Sequence, residues 1–334
     1  MPVFFRIFLA MAAASAFPEA GAQDLPAPAP NAAQQAFAAE QARDYGLDGD
    51  AVLAILAKAE YQQSIIDAIS RPAESVKPWK DYRPIFITDL RRDGGIAFYR
   101  DNRELIDRVA AEFQVPASVI VAIIGVETSY GKITGKYRVL DALSTLAFHY
   151  PPREKFFRGE LSQLLRLNDG HLAYPIEELR GSYAGAMGWG QFMPTSIAKF
   201  ARDYDGDARI DLWNSRPDIV ASIASYFQGH GWEQDGPVAV RARRRDDARE
   251  VTPASSEPVY PLEQLIAWGY EPDGHFDPQR PATLLRLEGE DGPEYWITFQ
   301  NFYVITRYNR SPMYAMAVNQ LADQIAAGVE GAGP

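Results

Sequence analysis

Glu127 is the residue whose setting most clearly points to chemistry. It closes an apolar run, Val121-Ala-Ile-Ile-Gly-Val-Glu127-Thr-Ser-Tyr-Gly131. The run opens near Val115, and Pro116 suits the first turn of a helix because its missing N–H costs nothing there. Val119, Ile120, Val121, Ile123, Ile124 and Val126 then occupy most faces, which predicts a helix buried all round. A carboxyl group at the end of such a helix is poorly solvated. Desolvation favours its neutral form, the state a general acid needs near neutral pH. A helix-end carboxylate held in a structural ion pair is the competing reading, because such networks also perturb carboxyl groups.

Three further segments carry chemically useful groups. Gly181-Ser-Tyr-Ala-Gly-Ala-Met-Gly-Trp-Gly-Gln191-Phe-Met-Pro-Thr195 is rich in glycine, which permits close backbone approach to a ligand or to another segment. Tyr183 and Trp189 offer rings that can stack on sugars, and Ser182 and Gln191 offer hydrogen bonds; a helix-packing loop is the alternative. Asp203-Tyr-Asp-Gly-Asp-Ala-Arg-Ile-Asp211-Leu-Trp-Asn214 sets acids at alternate positions, like the opening of an EF-hand calcium loop. Asp203, Asp205, Asp207 and Asp211 would supply side-chain oxygens and Arg209 a backbone carbonyl. Ala208 stands where that loop has glycine and Asn214 where it has a bidentate Glu, so an Asx-turn loop without an ion is equally open. Asp218, farther along, is placed to complete a shell. Asn301-Phe-Tyr-Val-Ile-Thr-Arg-Tyr-Asn-Arg-Ser-Pro-Met-Tyr314 is dense in aromatic and amide groups, of which Tyr308, Asn309 and Tyr314 are the site candidates.

The elements that position these groups read as mainly helical. The chain has 334 residues, 47% of them apolar, enough for a sizeable core. Helical spacing dominates from about residue 31 to 230, with examples at residues 50–60 and 103–113. The texture changes at Gly236. Val238-Ala-Val240, Thr283-Leu-Leu-Arg-Leu287, Tyr295-Trp-Ile-Thr-Phe299 and Tyr303-Val-Ile-Thr306 read as short strands. A short helix is expected within residues 258–268 and a final one over residues 313–327. The expected fold class is therefore α+β, mainly α. Its parts are a helical body over residues 35–235, a small β-rich unit over 236–306 and a closing segment over 307–334.

The net charge of −11 argues against a nucleic-acid partner. Arg241-Ala-Arg-Arg-Arg245 is basic, but Asp246, Asp247 and Glu250 follow, so it reads as a solvated loop. Arg6 followed by an apolar stretch of residues 7–17 and Ala20-Gly-Ala22 has the form of a secretory signal over residues 1–22. A linker over residues 23–34, containing Leu25-Pro-Ala-Pro-Ala-Pro30, would follow. There is no cysteine, which excludes disulfides and a cysteine-linked lipid anchor. A soluble, exported, periplasmic protein is expected.

Taken together the motifs resemble the membrane-bound lytic transglycosylase B family, which has a lysozyme-like core. The resemblance runs over about residues 37–326. Lys77-Pro-Trp, Tyr82-Arg83, Glu127-Thr-Ser-Tyr-Gly131, Gln191-Phe-Met-Pro and Asn309-Arg-Ser occur in the family's order. It implies that Glu127 is the only catalytic carboxylate and that no cofactor takes part in catalysis, any calcium being structural. It further implies that Ser182 and Gln191 hold substrate near Glu127. Tyr82, Tyr226, Tyr308, Asn309 and Tyr314 would line a groove, with Arg153 at its edge near the peptide stem. Pro152 stands where the family often has a second Arg. The implied partners are peptidoglycan glycan strands, with cell-wall remodelling proteins as further candidates, and the implied state is a monomer. An ordinary lysozyme-like hydrolase and a non-catalytic peptidoglycan-binding scaffold are the competing functions. The first needs a second, water-activating carboxylate; the second has no need of Glu127.

Overall fold

The computed structural model describes residues 31–70 and 77–331. The expected signal over residues 1–22 and most of the expected linker lie outside the described residues. The helices run α1 (Ala32–Tyr45), α2 (Gly49–Leu56), α3 (Gln63–Ser70), α4 (Trp79–Phe86), α5 (Asp89–Asp101), α6 (Arg103–Phe113), α7 (Ala117–Thr128), α8 (Val139–His149) and α9 (Glu154–Arg166). They continue with α10 (Pro194–Phe200), α11 (Arg216–Gly229), α12 (Leu262–Ala267), α13 (Gln300–Tyr308) and α14 (Pro312–Glu330). The strands are β1 (Tyr137–Arg138), β2 (Arg180–Gly181), β3 (Ala239–Arg244), β4 (Tyr260–Pro261), β5 (Tyr270–Pro272), β6 (Pro281–Gly289) and β7 (Gly292–Thr298). The class is α+β, mainly α.

Helix α7 is the centre of the body. Pro116 is its N-cap, and the residues from Val119 to Val126 are all buried. Such a helix needs partners on every side, and α5, α6, α11 and α14 supply them. Its apolar contacts continue into one large core with Ile106, Val109, Leu143, Ile223, Val318 and Leu321. Among the described residues no single helix is long and apolar enough to cross a membrane.

Beside the body lies a five-stranded antiparallel sheet in the order β4-β6-β7-β3-β5. One face has its own small core, in which Leu262 and Leu265 of α12 meet Ala242, Tyr270, Leu284 and Ile297. The residues on the other face, Leu285, Leu287 and Trp296, join the main core, where β6 meets α4. Leu285 and Trp296 are cross-strand partners, so their side chains share that face. A separate two-stranded pair, β1 and β2, brings Tyr137 opposite Gly181.

Two local expectations are overturned. Tyr303-Val-Ile-Thr306 lies in helix α13, not in a strand. Asn301, Phe302, Val304 and Ile305 are buried at helical spacing, so packing overrides the strand preference of β-branched residues. Arg241-Ala-Arg-Arg-Arg245 is mostly strand β3, not a loop. Ala242 points into the small core, while Arg241 pairs with Glu294 at 2.7 Å and Arg243 pairs with Glu271. Neighbouring strands thus neutralise the charge run, and the alternation that marks a half-buried strand is present in it.

The turn after α7 is tightly packed. Ser129, Tyr130 and Gly131 have φ of 49°, 61° and 80° in succession. At Gly131 a side chain is excluded, because a Cβ there would stand 2.0 Å from the Trp189 ring. Gly131→Ala therefore combines left-handed strain with a hard overlap. Its expected cost is about 2–4 kcal/mol, read as a lower melting temperature, with activity falling more steeply than stability because the displaced turn follows Glu127 directly.

Candidate active site

Glu127 sits in the last turn of α7, one residue before its end. The residue is half-buried, but its carboxyl group is enclosed by protein. Burial pushes its pKa up to about 7, and a hydrogen bond from Tyr314 pulls weakly the other way. The Tyr314 hydroxyl donates to Glu127 Oε1 at 2.5 Å. Tyr314 lies in the first turn of α14, whose N-terminus is capped by the Ser311 hydroxyl. The ring is 3% exposed and its own pKa is pushed well up, mainly by burial and then by the nearby Glu127 charge. Tyr314 therefore stays neutral and orients the carboxyl group without bringing in a cation.

The structure gathers several of the other expected residues around this pair. The Glu127 charge raises Tyr226 and Tyr308, after burial, and Tyr82 adds to the rise at Tyr314. Tyr226 and Tyr308 have ring centroids 4.6 Å apart. Their hydroxyls donate to backbone oxygens, Tyr226 to Arg307 at 2.7 Å and Tyr308 to Gly190 at 2.6 Å. The Tyr226 ring is stacked on His230 at 4.1 Å, and both rings pack against Phe192 and Phe227, so the pair forms a rigid aromatic cluster beside the acid's helix. Asn309 follows α13 and accepts from the Ser311 N–H at 3.1 Å.

The Gly-rich segment is knit to the turn after Glu127. Thr128 Oγ1 donates within a bifurcated arrangement to Ile124 and Trp189 carbonyls and accepts from the Gly131 N–H. Gln191 adopts a left-handed φ of 48°, and its Nε2 donates to Thr134 O and Gly188 O. Both donors of this amide are thus engaged, which leaves Oε1 as its free acceptor capacity. Ser182 Oγ accepts from the N–H groups of Ala184 and Ala186 and keeps its own proton for an acceptor. Trp189 is not a sugar platform. It is 9% exposed, with the Arg216 guanidinium 3.7 Å from its ring centroid and Phe98 also packed against it.

Arg153 occupies a different neighbourhood. Its guanidinium lies over Phe156 and Phe157, at 4.2 and 4.9 Å from the ring centroids, and Tyr150, Tyr183, Glu160 and Arg310 are the charged or titratable groups around it. Three other buried carboxyl groups are engaged in holding the fold. Glu160 accepts from the Thr195 N–H and hydroxyl at the start of α10. Asp141 accepts from the Glu60 N–H and pairs with Arg138 at 3.3 Å. Asp218 accepts from the N–H groups of Tyr204 and Asp211.

In the acidic loop, Asp203, Asp205 and Asp218 bring carboxylate oxygens within 4.8 Å of one another. Asp218 is the third member, not Asp207 or Asp211. Asp207 turns back to the Arg209 N–H, and Asp211 to the N–H groups of Trp213 and Asn214. Ala208, in the glycine position, adopts φ 69° all the same, so the loop has the left-handed bend there without glycine. Three hard oxygen donors in such proximity suit a calcium ion, which takes oxygen ligands in flexible geometry. Sequence reasoning missed Arg91, which is bonded to the end of α7. Its neighbour Arg92 is paired with Asp89 and Asp93 at the surface, and the two are indistinguishable in sequence.

A family model described as a transglycosylase SLT domain matches residues 29–323. The chain is 39% identical over 306 residues to membrane-bound lytic murein transglycosylase B of Escherichia coli (strain K12), covering 89% of this chain and 83% of that protein. Its fold matches the catenated lytic transglycosylase SltB1 of Pseudomonas aeruginosa with a TM-score of 0.86 and 46% identity, over 90% of this chain and 99% of that one. The lytic transglycosylase Slt35 of Escherichia coli, solved in complex with calcium, matches with a TM-score of 0.80 and 37% identity, over 90% and 94% of the two chains. With nearly its whole described length matched at these identities, the chain belongs to the transglycosylase SLT family.

Proposed function

We propose that this protein is a lytic transglycosylase that cleaves the β-1,4 bond between N-acetylmuramic acid and N-acetylglucosamine in peptidoglycan, with Glu127 as its single acid and base. The observation that carries this reading is the enclosed carboxyl group of Glu127, pushed up to a pKa of about 7 by burial and held by a neutral tyrosine. Protonated Glu127 donates its proton to the glycosidic oxygen as the bond from C1 breaks. The resulting carboxylate takes the proton from the muramyl C6 hydroxyl, whose oxygen bonds to C1. A 1,6-anhydro product forms, no water is consumed, and Glu127 is protonated again. The attack is intramolecular, so the nucleophile is already at high effective concentration.

A hydrolase would need a second carboxylate, about 5–5.5 Å away for retention or about 6.5–9.5 Å for inversion. Glu160, Asp141 and Asp218 are all engaged in structural bonds, which favours the intramolecular route. Ser182 and Gln191 would hold substrate groups beside Glu127. Tyr82, Tyr226, Tyr308, Asn309 and Tyr314 would line the groove, and Arg153 would stand at its edge toward the peptide stem. Action on this polymer places the protein in the cell envelope, and the signal-like residues 1–22 support the periplasm. A monomer working on glycan strands is the simplest state. Calcium, held by Asp203, Asp205 and Asp218, would fix its loop beside α11 and take no part in the reaction.

Mass spectrometry of peptidoglycan digests tests the reaction. Anhydromuramyl products are expected from the native chain and none from Glu127→Gln; reducing-end products would instead establish a hydrolase. The pH dependence has a definite sign. The acid must be protonated, so the rate should fall as pH rises through about 7. The raised pKa also means that ionising Glu127 disfavours the folded state above its unfolded value. Glu127→Gln should therefore stabilise the protein by roughly 3 kcal/mol at pH 8 and by little at pH 4, as read by thermal unfolding. Added calcium should raise the melting temperature of the native chain, by up to about 3 kcal/mol of stability at saturating excess. Asp205→Asn should lose that response while keeping the product pattern.

A further inference from the structure

The segment that follows Glu127 is unusual in its backbone. Ser129 and Tyr130 are both left-handed without being glycine, immediately before Gly131. Each such residue costs of the order of 1–3 kcal/mol and persists only where its surroundings over-determine it. Backbone bonds from Ser129 and Tyr130 to Gly125 O and Ile124 O and the Thr128 hydroxyl shape the turn, and one side chain ties the helix end that carries it to a second helix. Arg91, in the first turn of α5, donates from Nε to Gly125 O at 2.9 Å, from Nη1 to Ile85 O at 2.7 Å and Phe86 O at 2.9 Å, and from Nη2 to Ser129 Oγ at 3.4 Å. Its own carbonyl accepts from the Tyr130 hydroxyl at 2.7 Å. Tyr130 in turn fills the space left by Gly94, Gly95 and Gly125, where any Cβ would stand within 3.0 Å of its ring or hydroxyl or of another side chain.

Arg91 is half-buried, and burial lowers its pKa, yet it makes no ion pair with an acid among the described residues. Its partners are carbonyl oxygens at the C-terminal ends of two helices, α4 and α7, where helix dipoles favour a cation. Those two helices carry Tyr82 and Glu127. Arg83, on α4, donates to Gln320 of α14, the helix that carries Tyr314. The guanidinium is thus the node at which the groove-lining helix, the acid's helix and the strained turn are fixed to one another.

We propose that Arg91 is a positioning residue for the reaction: its guanidinium fork ties the end of α7, at Gly125 O and Ser129 Oγ, to the end of α4, at Ile85 O and Phe86 O, and so sets the aim of Glu127 toward the glycosidic oxygen and toward Tyr314. This rests on Glu127 being the acid. Lysine keeps the charge but is a point donor and cannot reproduce four bonds spread over two helix ends. A loss of aim lowers kcat more than it raises KM, because substrate contacts elsewhere in the groove are retained. A displacement of about 1 Å can cost on the order of 100-fold in rate.

The test compares the native chain with Arg91→Lys, Arg91→Ala and Glu127→Gln, each assayed well below its melting temperature, with activity normalised to the folded fraction by circular dichroism. Folded Arg91→Lys is expected to lose about 100-fold in kcat, with KM within a few-fold of native. Dilute guanidinium, but not urea or sodium chloride at the same concentration, is expected to restore part of the activity of Arg91→Ala. A role confined to stability would lower the melting temperature and leave the activity of the folded fraction unchanged, and native kcat in folded Arg91→Lys overturns the proposal. Should Arg91→Ala not fold, Arg91→Lys alone decides. An active Glu127→Gln would instead remove the catalytic reading itself, so the two failures are distinct.

Discussion

The site depends on keeping one carboxyl group out of water while leaving substrate a way to it. Glu127 is kept from water because it ends a helix that is buried on every side. The last turn of α7 reaches the edge of the core, where the residue as a whole is half-buried and its carboxyl group is enclosed. What surrounds the group matters as much as its burial. An ion-pair partner would stabilise the charged form and return its pKa toward the ordinary carboxylate range. The structure places a neutral phenol there, and the Arg91 guanidinium that meets the same helix is directed at the Gly125 carbonyl oxygen. Burial therefore raises the pKa of the group, and the Tyr314 hydrogen bond orients it while lowering that pKa in part.

The tyrosines around Glu127 follow the same logic of rigidity without charge. Tyr226 and Tyr308 tie their hydroxyls to backbone oxygens, so each ring is fixed at both ends. Thr128 joins the turn after Glu127 to the Gly-rich segment, and Gln191 joins that segment to Thr134. The acid, the turn and the loop are one hydrogen-bonded unit. Preorganisation of this kind lets the reaction proceed without rearranging the protein at the moment of proton transfer.

Much of this was legible in the sequence for physical reasons that can be stated. An apolar run with no polar face has few alternatives to a buried helix, and a carboxyl group at its end carries its electrostatics with it. The β-rich texture after Gly236 was visible in alternation and turn residues. Tyr303–Thr306 was not, because β-branched residues satisfy strand and helix alike and only the burial of Asn301, Phe302 and Val304 decides. The alternating acids announced a loop rich in oxygen donors, but its third converging carboxylate, Asp218, comes from the first turn of α11. Trp189 read as open to sugar stacking or to packing, because exposure has no local signature. Arg91 gave no signal at all, since its partners are carbonyl oxygens and every residue has one.

The paired left-handed residues after the acid also limit how this protein can change. Glycine at Ser129 would relieve backbone strain, whereas glycine at Tyr130 would empty the space its ring fills beside Gly94, Gly95 and Gly125. At Ser129 the replacement would also free the backbone whose fixed shape aims the acid. Tolerance of heat and speed of reaction are therefore opposed at Ser129, and variants selected for endurance alone would drift there toward a sturdier but slower enzyme.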